Sequence, residues 1–108
     1  MKKRVWLSFD LGIRGDYEGL YAWLDNHGAK ECGDTVATFM FEYESDLEGE
    51  LVEALKQEVE ITRKSRFYLV WNDQGRMKGH FVIGKRMASP WQGHGALVGE
   101  EAEYDVEE

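Results

Sequence analysis

Apolar and polar positions alternate strictly at the start of this chain. Val5, Leu7, Phe9 and Leu11 fall on one side, and Trp6, Ser8 and Asp10 on the other. Period two over residues 4–11 predicts a β-strand. The period then changes. Tyr17, Leu20, Tyr21 and Leu24 recur at helical spacing, widened by Trp23, behind a capping-competent Asp16 and ahead of Gly28. A second helix follows from Leu47, Leu51, Leu55 and Val59 at four-residue intervals, joined by Val52. Ser45 and Glu48 have the spacing of a capping box before it.

Between the helices, residues 29–43 are rich in β-branched and aromatic side chains. Two arrangements fit. One is a hairpin, with a short strand over 29–32, a Gly33-Asp34 turn and a strand over 35–43. The other is a single strand over 35–43 after a loop. The Gly-Asp dipeptide favours the hairpin. After the second helix, Arg66–Asn72 reads as a strand, Asp73-Gln74-Gly75 as a tight reversal, and Met77–Gly84 as the returning partner. Gly79 within that return implies a bulge or a close neighbour. Regular pattern fades from Lys85, and Ser89–Gly95 reads as loop.

The order strand, helix, hairpin, helix, hairpin predicts an α+β, ferredoxin-like two-layer sandwich. It consists of the split β-α-β-β-α-β arrangement plus an extra C-terminal hairpin strand, with the helices on one face of an antiparallel sheet. Residues 1–98 form one domain, and 99–108 are read as an acidic, disordered tail. Two helices cover one face, so the other shows Trp6, Thr38, Met40, Tyr68, Val70 and Val82. That is much apolar surface to leave in water. Sheet-to-sheet homodimerisation through Trp6, Met40, Tyr68, Val70 and Val82 is the expected remedy, with Trp91 and Leu97 as a competing cover from the same chain.

Composition narrows the class. The chain has 108 residues, of which 43 % are hydrophobic, enough for one packed core. A single cysteine, Cys32, cannot make an internal disulfide and is read as a half-buried structural thiol. The basic start is followed by too short an apolar run for a leader, and no stretch matches a membrane span, so a cytoplasmic protein is expected. The net charge of −8 is unevenly spread. Residues 42–60 carry −7, residues 61–99 carry +6, and residues 100–108 carry −6. The overall sign disfavours a nucleic-acid binder, but 61–99 is a local basic footprint. The acidic tail is read as a solubility device, with folding over that footprint as the alternative.

Catalytic signatures are sparse. Metal-ligand spacing, a phosphate loop and a nucleophile elbow are all missing, and His27, His80 and His94 are scattered. Asp10 stands at a strand tip on the uncovered face. Two copies brought together about a two-fold axis could share Mg²⁺ or Mn²⁺ between their Asp10 carboxylates, a metal site able to activate water for phosphodiester cleavage. The simpler role for Asp10 is to cap the turn at Leu11–Gly12. Arg66, Tyr68, Lys78 and His80 form a candidate nucleic-acid-binding set, with Tyr68 or Trp91 stacking a base.

The first strand ending Phe9-Asp10, the helix from Asp16 to His27, the strand ending Phe39-Met40-Phe41-Glu42, and Arg66-Phe67-Tyr68 resemble the small CRISPR adaptation endonucleases and the related VapD-type ribonucleases. The resemblance covers residues 4–72 and implies a ferredoxin-like homodimer whose metal-binding aspartate falls on Asp10. The leading expectation is a small dimeric binding or regulatory module, with no cofactor and no membrane association. A divalent-metal endonuclease centred on Asp10 is one alternative. An acidic nucleic-acid mimic that binds a protein partner is the other.

Overall fold

Seven elements follow from these patterns: β1 (Lys2–Asp10), α1 (Tyr17–Asn26), β2 (Lys30–Glu31), β3 (Val36–Glu42), α2 (Leu47–Glu58), β4 (Arg66–Asp73) and β5 (Arg76–Ile83). The computed structural model describes residues 1–95. Leu97 and the acidic tail lie outside the described residues. The five strands form one antiparallel sheet in the order β2-β3-β1-β4-β5. The hairpin reading of 29–43 holds, with β2 only two residues long.

The core lies between the sheet and both helices. Val5, Leu7 and Phe9 of β1, Phe39 and Phe41 of β3, and Phe67, Leu69 and Trp71 of β4 are buried on one side of the sheet. Leu20, Trp23 and Leu24 of α1 and Leu47, Leu51 and Leu55 of α2 pack against them. Alternation on the strands and four-residue recurrence on α2 therefore meet in a single apolar layer.

The helix starts are held by carboxylates. Asp16 caps α1 by accepting from Gly19 N (2.9 Å), and its other oxygen accepts from Glu60 N (2.9 Å). One side chain thus ties the start of α1 to the segment leaving α2. At α2 the cap is Asp46, which accepts from Gly49 N, one residue later than the Ser45 box predicted. Glu50, rather than Glu48, reaches back to the amides of Glu44, Ser45 and Asp46. Both Ser45 and Asp46 are competent caps, and the shift by one leaves Glu48 free to meet His80.

Register settles which side chains share the uncovered face. Trp6 stands beside Thr38 and Val70, Ser8 beside Val36 and Tyr68, and Arg4 beside Met40. On β5, Phe81 pairs with Tyr68, Gly79 with Val70, and Met77 with Asn72. Between Phe67 and Tyr68 the pairing skips a residue, from Ile83 to Phe81. Val82 is the extra residue of this bulge and packs towards the helical core. Its expected place on the uncovered face is therefore corrected, and Phe81 occupies that place instead. Gly79 has the close neighbour its position implied. A Cβ there would stand 3.1 Å from both Tyr68 Cε2 and Val70 Cγ2.

Candidate functional site

The uncovered face has two regions. Its middle is apolar: Trp6, Thr38 and Val70 are half-buried, Met40 is 43 % exposed and Met77 is 59 % exposed. Trp91, the competing cover from the same chain, is 73 % exposed.

The other region is a cationic corner where β1 ends and β4 begins. Asp10 and Arg66 are direct cross-strand partners, and Arg66 Nη2 lies 3.3 Å from Asp10 Oδ2. The other Asp10 oxygen accepts from Gly12 N at 3.0 Å, the turn-capping role expected of a strand-end aspartate. The Gly12 amide, and secondarily the Arg66 guanidinium, hold the Asp10 carboxyl below its usual range. Arg66 also donates towards the Lys85 carbonyl (3.4 Å) and lies 5.7 Å from the centre of the Phe81 ring. The Arg86 guanidinium approaches the same ring at 5.6 Å. Phe81 in turn meets Tyr68 edge to face, with centroids 4.9 Å apart.

Two local devices build this corner. The turn before β4 is closed by the buried Ser65, whose hydroxyl accepts from Thr62 N at 2.9 Å, while Thr62 Oγ1 accepts from Lys64 N. That turn presents Arg63 and Lys64 outward. Gly84 has φ +82° and passes so close to β4 that a Cβ would stand 2.7 Å from the Ser65 carbonyl oxygen. Lys85 and Arg86 are delivered to the corner by this approach. A cavity of about 630 Å³ is lined by Asp10, Arg63, Lys64, Arg66, Lys85 and Met87, among others. A smaller one of about 250 Å³ shares Asp10 and Arg66 with it and adds Tyr68, Phe81 and Arg86.

The sequence-predicted nucleic-acid set is divided by the sheet. Arg66 and Tyr68 are on the uncovered face. Lys78 pairs in register with Trp71 and His80 with Leu69, both on the helical side. Lys78 Nζ is bound to Asp73 at 3.0 Å, and His80 contacts Glu48. The reason is the two-residue period. From Phe81, two steps along β5 reach Gly79, while Lys78 and His80 fall on the alternate side. Phe81, Lys85 and Arg86 were missed as site residues, along with Arg63 and Lys64. The excess of base over acid in 61–99 was their only sequence signal.

The remaining candidates fall elsewhere. His27 packs against Trp23, with ring centroids 4.1 Å apart and the rings tilted by 37°, and stacks on Phe41, so it plays a packing role. His94 is exposed, and so is Cys32, contrary to the half-buried expectation, because it lies in the loop beyond the short β2. Among the described residues, no three His, Cys, Asp or Glu side chains are grouped to hold a metal ion, and no helix is long and apolar enough to cross a membrane. No family model, curated protein or solved structure matches the chain.

Proposed function

We propose that this chain is a non-catalytic binding module of ferredoxin-like topology that works as a pair, with a second copy seated on the apolar middle of the uncovered sheet face. The strand order β2-β3-β1-β4, antiparallel throughout, supports that topology, with β5 as an added edge strand. The observation that carries the pairing is the apolar group on this face, with Trp6 beside Val70 at its centre and the exposed Met40 and Met77 on the neighbouring strands. Contiguous exposed apolar surface of this kind marks an interaction site. A two-fold pairing presents the same patch on both partners. Lys2 and Glu42 on the same face supply both signs of charge for its rim, and Arg4, beside Met40, is tied down by donating to Thr38 Oγ1 at 3.1 Å. The lone thiol of Cys32 suits a reducing cytoplasm.

The geometry at Asp10 supports binding rather than cleavage. Both carboxylate oxygens are engaged, one by the Gly12 amide and one by Arg66, and among the described residues Asp10 belongs to no group of three side chains that could hold a cation. Sedimentation equilibrium across the micromolar range tests the pairing. A dimer that Trp6→Glu converts to monomer is expected. A wild-type chain that stays monomeric throughout removes the proposal.

A further inference from the structure

The cationic corner goes unused by that pairing. We propose that it binds single-stranded nucleic acid, with phosphates held by Arg63, Lys64, Arg66, Lys85 and Arg86 and a base stacked on the Tyr68–Phe81 pair. The proposal does not depend on self-association. These five cations come from two stretches, 63–66 and 85–86, and surround two adjoining cavities in which Asp10 is the only acid among the described residues.

Charge sets the class of ligand. Four of the five cations, Arg63, Lys64, Lys85 and Arg86, are exposed. Hydrated, spread-out cations suit the repeated phosphates of a polymer, where release of condensed counterions drives binding. A small free anion would instead call for buried, converging donors. The acids at the start of α2 lie in the helical layer, so a polyanion is steered towards the sheet side.

The aromatic pair selects single strands. Tyr68 and Phe81 are half-buried side chains on the sheet floor, beside the corner. A base in a duplex is stacked and paired and cannot lie on them, whereas an unpaired base can. Such stacking tolerates any base, so the expected preference is for single-stranded form rather than for sequence. The Arg66 and Arg86 guanidiniums lie over the Phe81 ring, 5.7 and 5.6 Å from its centre, so an arriving base takes the place of one of them and that cation turns to a phosphate.

The test is fluorescence anisotropy with a 5′-fluorescein oligothymidylate of about ten nucleotides, a length within the span of known single-strand sites. Affinity should fall with salt at a log–log slope of about −2 to −3.5, for three to five phosphate contacts. Lys85→Glu with Arg86→Glu should weaken binding at least about tenfold and flatten that slope. Phe81→Leu should weaken it about tenfold with the slope unchanged. Arg76→Glu, an exposed residue about 26 Å along β5 from Gly84 and outside both surfaces, should leave it within about twofold. Circular dichroism checks that each variant is folded. The proposal is overturned if the oligonucleotide does not bind at low salt, or if the corner variants bind as wild type does. It is equally overturned if a duplex of the same length binds as tightly, or if free AMP displaces the oligonucleotide at equal concentration. A monomeric wild-type chain would remove the pairing and leave this proposal standing.

Discussion

Replacing Gly84 with alanine should destabilise the chain far more than the same replacement at Gly75. The two glycines have nearly the same backbone, with φ +82° and +85°. A side chain in this left-handed region costs about 1–2 kcal/mol. Stiffening of the unfolded chain returns roughly 0.4–1 kcal/mol. Gly75 sits in the β4–β5 turn with nothing within 4 Å of an added Cβ, so its net loss should be about 1 kcal/mol. At Gly84 the Cβ would stand 2.7 Å from the Ser65 carbonyl oxygen, 2.8 Å from Arg66 Cγ and 3.1 Å from Arg66 Cα. Two of these three atoms are backbone, and the end of β5 must move away from β4. Overpacking of this kind adds roughly 1–3 kcal/mol. The difference between the variants should therefore be about 1–3 kcal/mol, or roughly 5–20 °C in Tm for a domain of this size. Thermal and urea melts followed by circular dichroism, at one protein concentration, measure it. If Gly84→Ala loses no more than Gly75→Ala, the close approach said to deliver Lys85 and Arg86 is refuted.

Acid should unfold the chain through named carboxylates. Amides hold Asp16 (Glu60, then Gly19), Glu50 (Ser45, Asp46, Glu44) and Asp10 (Gly12, then the Arg66 guanidinium) below the ordinary values of 3.8 for aspartate and 4.5 for glutamate. The unfolded chain therefore takes up protons first, and the contribution is complete above those ordinary values and lost as pH falls through the folded ones. Urea midpoints should be level from pH 7 to about 5 and drop below about 4.5, less steeply in Asp16→Asn; a level profile down to pH 3 contradicts this. Asp10→Asn removes the one acid that lines the corner among the described residues. At a separation of about 7 Å in water this should tighten oligonucleotide binding about threefold, with no need for divalent cations. Weaker binding, or a strict requirement for Mg²⁺, would favour the endonuclease reading of Asp10.

Much of the fold is legible because local pattern and tertiary burial agree. Val5, Leu7 and Phe9 alternate and are all buried, and Leu47, Leu51, Leu55 and Val59 recur by four and are all buried. The Asp73–Gly75 reversal is equally plain, since Gln74 and Gly75 both take positive φ. The candidate site was less legible for two physical reasons. A bulge at Val82 shifts the β4–β5 pairing without any local signature, so which alternating set of β5, Met77–Gly79–Phe81 or Lys78–His80–Val82, joins Tyr68 and Val70 cannot be read along the chain. The corner also draws its cations from the turn before β4, from β4 itself and from beyond β5. Only their summed charge, and not their convergence, can be read along the chain.

Concentration-dependent oxidation of methionine tests the central claim that the uncovered sheet face is the working surface. Met40 and Met87 are comparably open in a single chain, 43 % and 63 % exposed, but only Met40 lies on the apolar middle. With dilute peroxide and mass-spectrometric readout, Met40 should oxidise several times more slowly at high micromolar protein than at nanomolar. Met87 should react at one rate throughout. Equal rates at Met40 across that range would show the face open to water at every concentration and would contradict the pairing.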